Sequence, residues 1–110
     1  MKFIIHKSRW PTLTNWSLMT PDGSAHATLV KYHNNEVAIM YDLHVYPKFR
    51  KQGIGLALQE EREKIAKNAG ATHVGLYVRA KETWKVEWYK RRGFEVTEET
   101  GNRLTMMKKL

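Results

Sequence analysis

Two glycines, Gly53 and Gly55, stand one residue apart between a basic stretch and a long charged segment. Because glycine has no side chain, the backbone N–H groups of such a turn can converge on one point, and the start of a helix adds unsatisfied donors and the positive end of its dipole. Arg50 and Lys51 add positive charge at the rim, and Gln52 adds a neutral hydrogen-bonding group. The spacing predicts a site for a phosphate or pyrophosphate, although plain helix-start turns share this pattern.

A strand over residues 36–46 is predicted to lead into this turn. Its side chains alternate between two faces, as in a half-buried strand. One face carries Val37, Ile39, Tyr41, Leu43 and Val45, and the other carries Ala38, Met40, Asp42, His44 and Tyr46. Pro47 ends the strand because proline has no N–H group for the sheet. A helix over about 53–69 follows, with apolar residues at helical spacing and Gly70 in position for a C-terminal cap.

The rest of the chain is predicted to form further strands and a second helix. Strands are predicted at 2–6, 15–20, 25–33 and 72–79, and a final hairpin turns at residues 100–102. The strand after the first helix would run parallel to 36–46 through a right-handed crossover. The second helix spans 83–92, with Thr83 as its N-cap. The predicted fold class is therefore α+β, with a mixed, mostly antiparallel central sheet and helices packed on it.

Length and composition restrict the class of protein. We expect the 110 residues to form a single domain, 1–110, and no apolar stretch approaches the roughly 18 residues of a membrane helix. The lack of cysteine and of a secretory signal favours a soluble, cytoplasmic protein without a membrane partner. The formal net charge of +8 favours anionic partners, and charge alone does not choose among nucleic acid, an anionic membrane surface and phosphorylated small molecules.

Two segments resemble motifs of the GNAT family of N-acetyltransferases. The first is the strand end, proline and glycine turn, matched at Leu43, Val45, Pro47, Arg50, Gly53 and Gly55. The second is a Tyr-x-x-x-Gly-Phe segment, matched at Tyr89, Gly93 and Phe94. Both occur in the family's order, and the resemblance covers roughly residues 36–98. It implies a GNAT-type acyl-CoA N-acyltransferase fold, with reduced N-terminal helices because the segment between the first strands is short.

The resemblance implies transfer of an acetyl group from acetyl-CoA to an amine by direct attack in a ternary complex. It implies a cosubstrate site formed by Leu43, Val45, Arg50, Lys51, Gln52, Gly53, Ile54 and Gly55. The backbone N–H groups of Leu43 and Val45 would polarise the thioester carbonyl. Tyr89 would be the general acid that protonates the departing thiolate, since a phenol is a weaker acid than a thiol.

Asp42 and His44 are the candidates for the general base. On one face of a strand, a carboxylate beside an imidazole can deprotonate an ammonium acceptor directly or through water, but an ordinary solvated polar face explains the pair equally well. The histidines show no spacing typical of a metal site, so no metal is predicted. Trp84 and Trp88, four residues apart on the second helix, are predicted to belong to the core rather than to an acceptor pocket.

Several alternatives stay open at the level of sequence. The acceptor is an amine on a small molecule or a protein, and the late strands can support a homodimer. A catalytically inactive acyl-CoA-binding domain is one rival function. A basic nucleic-acid-binding module is another, less favoured because the aromatic residues form no base-stacking pattern on adjacent strands. Glu82 and Lys85 occupy positions where the family often has asparagine and alanine, which affects the contacts expected for the pantetheine arm.

Overall fold

Seven strands form one mixed sheet in the computed structural model, which describes residues 1–110. The strands are β1 (Ile4–Arg9), β2 (Leu13–Met19), β3 (Ala25–Tyr32), β4 (Val37–Val45), β5 (His73–Arg79), β6 (Glu95–Thr100) and β7 (Arg103–Lys109). They lie in the order β1-β2-β3-β4-β5-β7-β6, and only the β4–β5 pair is parallel. The predicted mixed, mostly antiparallel sheet is confirmed.

Two helices connect the later strands. Helix α1 (Ile54–Asn68) links β4 to β5, and helix α2 (Thr83–Arg91) links β5 to β6; a short 3-10 turn at Pro47–Phe49 precedes α1. The predicted cap of α2 is wrong, because Thr83 is already helical and the cap position is held by Glu82, whose side chain makes no capping hydrogen bond. Neither helix is both long and apolar enough to span a membrane.

The core lies between α1 and the central strands. Leu58 of α1 is fully buried, as are Leu29 of β3, Ala38 of β4 and Val74 of β5. Each fully buried leucine or valine contributes roughly 1.5–3 kcal/mol relative to an exposed side chain. Trp16 of β2 joins this cluster. The core therefore fixes α1 against the strands that precede and follow it.

A β-bulge interrupts β4 at Asp42. Thr28 pairs with Tyr41 and His26 pairs with His44, so two β4 residues lie opposite Ala27. Asp42 has a φ of 43°, a left-handed conformation that aspartate tolerates better than most residues. The core side chains change from even-numbered to odd-numbered positions there, from Ala38 and Met40 to Leu43 and Val45. The uninterrupted alternation predicted over 36–46 is therefore wrong, because the extra residue moves the later side chains to the opposite faces.

The parallel pairing between β4 and β5 is short. It joins only Val37–Ile39 to His73–Gly75, whereas β5 continues beside β7 as far as Arg79. After Ile39 the two parallel strands separate, and a gap opens in the middle of the sheet. The bulge at Asp42 lies on the edge of this gap, next to the strand end that leads into the glycine turn.

Candidate active site

The first turn of α1 offers several hydrogen-bond donors without acceptors. Gly53 precedes the helix with a φ of 78°, which glycine adopts without strain. The first bond of the helix runs from the N–H of Ala57 to the carbonyl of Gly53, at 3.0 Å, so the N–H groups of Ile54, Gly55 and Leu56 have no acceptor within the chain. No side chain caps this end, and no acidic residue lies in its first turn. The turn thus presents free donors and the positive end of a helix dipole.

These donors face a groove of about 770 Å³ between the end of β4, the glycine turn and α2. Seven of the eight residues predicted to bind the cosubstrate line it: Leu43, Val45, Arg50, Lys51, Gly53, Ile54 and Gly55. Gln52 is exposed and does not line the groove. The structure therefore brings the predicted strand end and the predicted anion turn together on one concave surface.

The lack of a side chain at Gly55 leaves space where α1, β4 and α2 meet. A Cβ atom at this position would lie 3.7 Å from Val45 Cγ2 and 4.0 Å from Trp88 Cζ2, within ordinary van der Waals contact. Glycine thus keeps the groove open beside the free donors without being needed for a strained backbone. A side chain longer than alanine would occupy the narrow space between β4 and α2.

The end of β4 turns polar backbone groups toward the gap. The N–H of Tyr46 donates to the carbonyl of Ser24 at 2.9 Å, so this group points toward β3. Because hydrogen bonding alternates along an antiparallel strand, the N–H of Val45 points away from β3 and toward the gap. The carbonyl of Val45 accepts a bond from Nε of Arg50 at 2.8 Å, which holds this arginine at the groove.

Helix α2 supplies the other wall of the groove. Arg92 stacks its guanidinium 4.0 Å above the Trp88 ring, and its Nη1 donates to the Trp88 carbonyl at 3.2 Å. Trp84 also lines the groove but is 65% exposed, so its predicted place in the core is wrong. The four-residue spacing showed that the two tryptophans share a face, but not that this face borders a groove. Arg92 follows Trp88 by the same four residues, so this spacing could have predicted that the arginine contacts the tryptophan.

A second cavity of about 390 Å³ adjoins the groove. Leu43, His44, Lys85 and Tyr89 line both spaces, whereas Asp42 lines only the smaller one. The structure therefore brings the three predicted catalytic residues together around the smaller cavity, and His44 and Tyr89 also border the groove. The bulge separates Asp42 from His44, so each reaches the smaller cavity from a different part of the distorted strand.

Tyr89 stands at this boundary with a firmly packed ring. The side chain is only 9% exposed, and its ring packs edge-on against Trp88 at 5.0 Å and Phe94 at 5.4 Å. On the other side of the boundary, the ring of His44 lies 4.9 Å from that of Tyr46 and 5.6 Å from that of His26. These contacts fix the orientation of both rings relative to the cavities.

Two further side chains of the smaller cavity were not found from the sequence. Arg62 of α1 lines the wall and is buried, because its position lies on the apolar face of the helix, four residues from Leu58 and from Ala66. Tyr41 is exposed but also lines the cavity, and partial burial raises the pKa of its hydroxyl, with Tyr77 and Tyr32 acting in the same direction. The helical spacing of Arg62 from Leu58 and Ala66 could have predicted that this arginine is buried.

The sequence and fold of this chain are similar to those of known proteins. The model of the acetyltransferase (GNAT) family matches residues 18–94. This chain belongs to the GNAT acetyltransferase family. An uncharacterised N-acetyltransferase of Methanocaldococcus jannaschii is 39% identical over 75 residues, which are 68% of this chain. The match covers 33% of that relative, so the chain spans about a third of its length.

Solved GNAT structures have the same fold. The PaiA N-acetyltransferase from Thermoplasma acidophilum, in complex with coenzyme A, has a TM-score of 0.76 and 25% identity over 90% of this chain and 62% of its own. A GNAT family acetyltransferase from Elizabethkingia anophelis with acetyl-CoA bound has a TM-score of 0.77 and 14% identity over 98% of each chain. The second likeness is one of fold alone.

The chain departs from the GNAT pattern at two places. No helix lies between β1 and β2, as the short intervening segment predicted. Glu82 and Lys85, at the positions where asparagine and alanine are usual, both line the groove and form a salt bridge of 3.0 Å. The groove wall near α2 is therefore more charged than the family pattern implies.

Proposed function

We propose that this protein is an N-acetyltransferase that transfers the acetyl group of acetyl-CoA to an amine by direct attack. The observation that carries the proposal is the set of free N–H donors at the start of α1, which opens into the groove beside Arg50 and Lys51. Such a combination of helix dipole, free donors and flanking cations suits a pyrophosphate. The adjoining cavity, which shares Tyr89 with the groove, gives an amine a place to approach.

The residues of the groove fit the parts of this cosubstrate. The first turn of α1, with Arg50 and Lys51, would hold the pyrophosphate, and the groove beside the end of β4 would receive the pantetheine arm. When bound, acetyl-CoA supplies a thioester, whose acyl carbon is the site of attack. Leu43 and Val45 would donate backbone hydrogen bonds to the carbonyl oxygen, where negative charge develops.

Proton transfers are assigned to side chains that line the smaller cavity. Asp42 or His44 would accept the proton that the amine loses as its new N–C bond forms. Tyr89 would donate its hydroxyl proton to the sulfur as the C–S bond breaks. The reaction is then balanced, because the chain regains its original protonation state once the base returns its proton to Tyr89 through solvent.

The acceptor is proposed only as a class. It is an amine on a small molecule or on a protein, reached through the smaller cavity on the side where the usual N-terminal helices are absent. We further propose that residues 1–110 act as one catalytic domain in the cytoplasm, consistent with a chain without cysteine.

Isothermal titration with acetyl-CoA tests the anion site. We expect saturable one-to-one binding to the native chain, and a loss of about tenfold or more in affinity for Arg50→Glu, since each tenfold change corresponds to about 1.4 kcal/mol. Lys64→Glu makes the same change of charge at an exposed position of α1 that does not line the groove, so it should bind like the native chain. No binding to the native chain, or equal binding by both variants, would contradict the proposed site. Binding without acetyl transfer to any amine would favour the inactive acyl-CoA-binding domain.

A further inference from the structure

Arg62 is a charged side chain buried in the core. It is 1% exposed and lies on α1 between the core residues Leu58 and Ala66. Its Nη1 donates to the carbonyls of Tyr41, at 2.8 Å, and Thr28, at 3.1 Å, and its Nη2 donates to Gln59 Oε1 at 2.6 Å. It forms no salt bridge, and its Nε is buried without an acceptor. The guanidinium is therefore held by neutral oxygens alone.

Burying the charged guanidinium costs free energy, and the packing of the core does not require a charge at this position. A charge removed from water is stable only with good partners, and apolar residues of similar volume often replace buried charges without loss of stability. Burial lowers the pKa of Arg62, while Tyr89, Glu63 and Asp42 act in the opposite direction. A leucine or methionine would suit the apolar face of α1, so the arginine points to a role beyond packing.

The two carbonyls that Arg62 binds lie directly beside the bulge. Tyr41 is the residue before Asp42, and Thr28 is the partner of Tyr41 on β3. One nitrogen of α1 thus joins both strands where the extra residue distorts their pairing. The bulge sets the left-handed conformation of Asp42 and the direction of Leu43, and Arg62 lines the same cavity as these residues and Tyr89.

We propose that Arg62 is a positioning residue for acetyl transfer, which clamps the β4 bulge and so holds the Leu43 N–H and the Asp42 carboxylate in place beside Tyr89. This inference rests on the proposed acetyltransferase function. Arg62 acts through β4 and does not line the large groove, so it should affect the reaction without affecting the binding of acetyl-CoA.

Two variants and one control test this role. Arg62→Met keeps an unbranched side chain, shorter than that of arginine, and removes every donor, whereas Arg62→Lys keeps a charge with fewer donors. Leu58→Val removes one methylene from the same buried face of α1 and serves as the control for loss of core packing. For each protein we would measure kcat, the affinity for acetyl-CoA, and the amide hydrogen exchange of residues 41–45 by NMR.

The expected results distinguish a positioning role of Arg62 from a contribution to stability alone. Arg62→Met should lower kcat by about 100-fold, the effect of a displacement of about 1 Å near the reacting atoms, with the affinity for acetyl-CoA unchanged. Its His44 amide, which faces β3, should exchange faster than in the native protein, and Arg62→Lys should recover part of both properties. Leu58→Val should keep the native kcat and the native exchange at the bulge, although it unfolds at a lower temperature.

Every other result either supports or overturns the proposed role of Arg62. Native kcat and native exchange in Arg62→Met would overturn the inference and leave the proposed function intact. If Arg62→Met does not fold, Arg62→Lys decides: faster exchange at His44 with a lower kcat supports the clamp, and native values for both overturn it. If the native protein binds acetyl-CoA but transfers no acetyl group, the proposed function fails, and exchange at the bulge still supports or overturns the clamp.

Discussion

The hydroxyl of Tyr89 can be removed without disturbing the packing of its ring. The ring contacts with Trp88 and Phe94 do not involve the oxygen, so Tyr89→Phe should keep the packing of the ring and lose only the hydroxyl, which lies near Arg62. We expect kcat to fall by about 10²- to 10⁴-fold, the range for loss of a general acid, while titration shows native affinity for acetyl-CoA. Tyr32→Phe removes the same hydroxyl from an exposed position that lines neither cavity, and should leave kcat unchanged. Undiminished turnover in Tyr89→Phe would rule out the acid role.

Residues with special backbone requirements could be recognised from the sequence, and residues whose role depends on burial could not. Gly53 and Gly55 were predicted correctly at a helix start because no other residue type leaves that turn equally open. Arg62 and Arg92 carry the same charge as the many surface cations of the chain. Only the packing of α1 and α2 against the sheet shows that the first is buried and the second stacks on Trp88.

At the scale of the element, the first turn of α1 balances helix stability against access for a ligand. Gly55 is helical without a positive φ, so Gly55→Ala should raise the free energy of unfolding by about 0.4–1 kcal/mol, because alanine restricts the unfolded chain. The added methyl group narrows the groove between Val45 and Trp88, so the affinity for acetyl-CoA should fall by about tenfold. Thermal unfolding and calorimetric titration would measure the two changes.

A matched substitution at the other end of α1 isolates the effect on the ligand. Asn68→Ala improves helix propensity at the last, exposed helical residue, away from the groove, and should raise stability with native affinity. Native affinity in Gly55→Ala as well would mean that the glycine serves only the packing of the helix against β4.

The elements themselves were largely predictable, and the distortion within β4 was not. Proline, paired asparagines and glycines mark the ends of strands and helices chemically, so the boundaries of α1 and β4 agree with prediction to within a residue or two. The bulge leaves no such mark, because apolar and polar residues continue to alternate through Asp42. In the structure, Arg62 of α1 binds the carbonyls beside the bulge.

At the scale of the whole molecule, the missing helices leave one face of the sheet open. Tyr32, Tyr41 and Tyr77 are all more than 40% exposed, whereas the opposite face is covered by α1. The mixed sheet followed from turn signals and the strand–helix–strand order, which allow few topologies. The sequence did not show which face of α2 borders the groove, because that depends on how the helix packs beyond the gap between β4 and β5.

The charge of the whole molecule also separates the proposed enzyme from a basic nucleic-acid-binding module. The net charge of +8 attracts any polyanion, but only Arg50, Lys51, Lys85 and Arg92 of the basic residues line the groove, and Lys85 is paired with Glu82. Raising salt from about 50 to 200 mM should weaken binding of acetyl-CoA by less than about tenfold, whereas a protein with six to ten phosphate contacts loses about 10³- to 10⁵-fold in affinity for duplex DNA. Titrations with acetyl-CoA and with a random DNA duplex at both salt concentrations would measure this difference. Tight DNA binding with the steep slope, together with acetyl-CoA binding that salt abolishes, would instead favour the nucleic-acid-binding module.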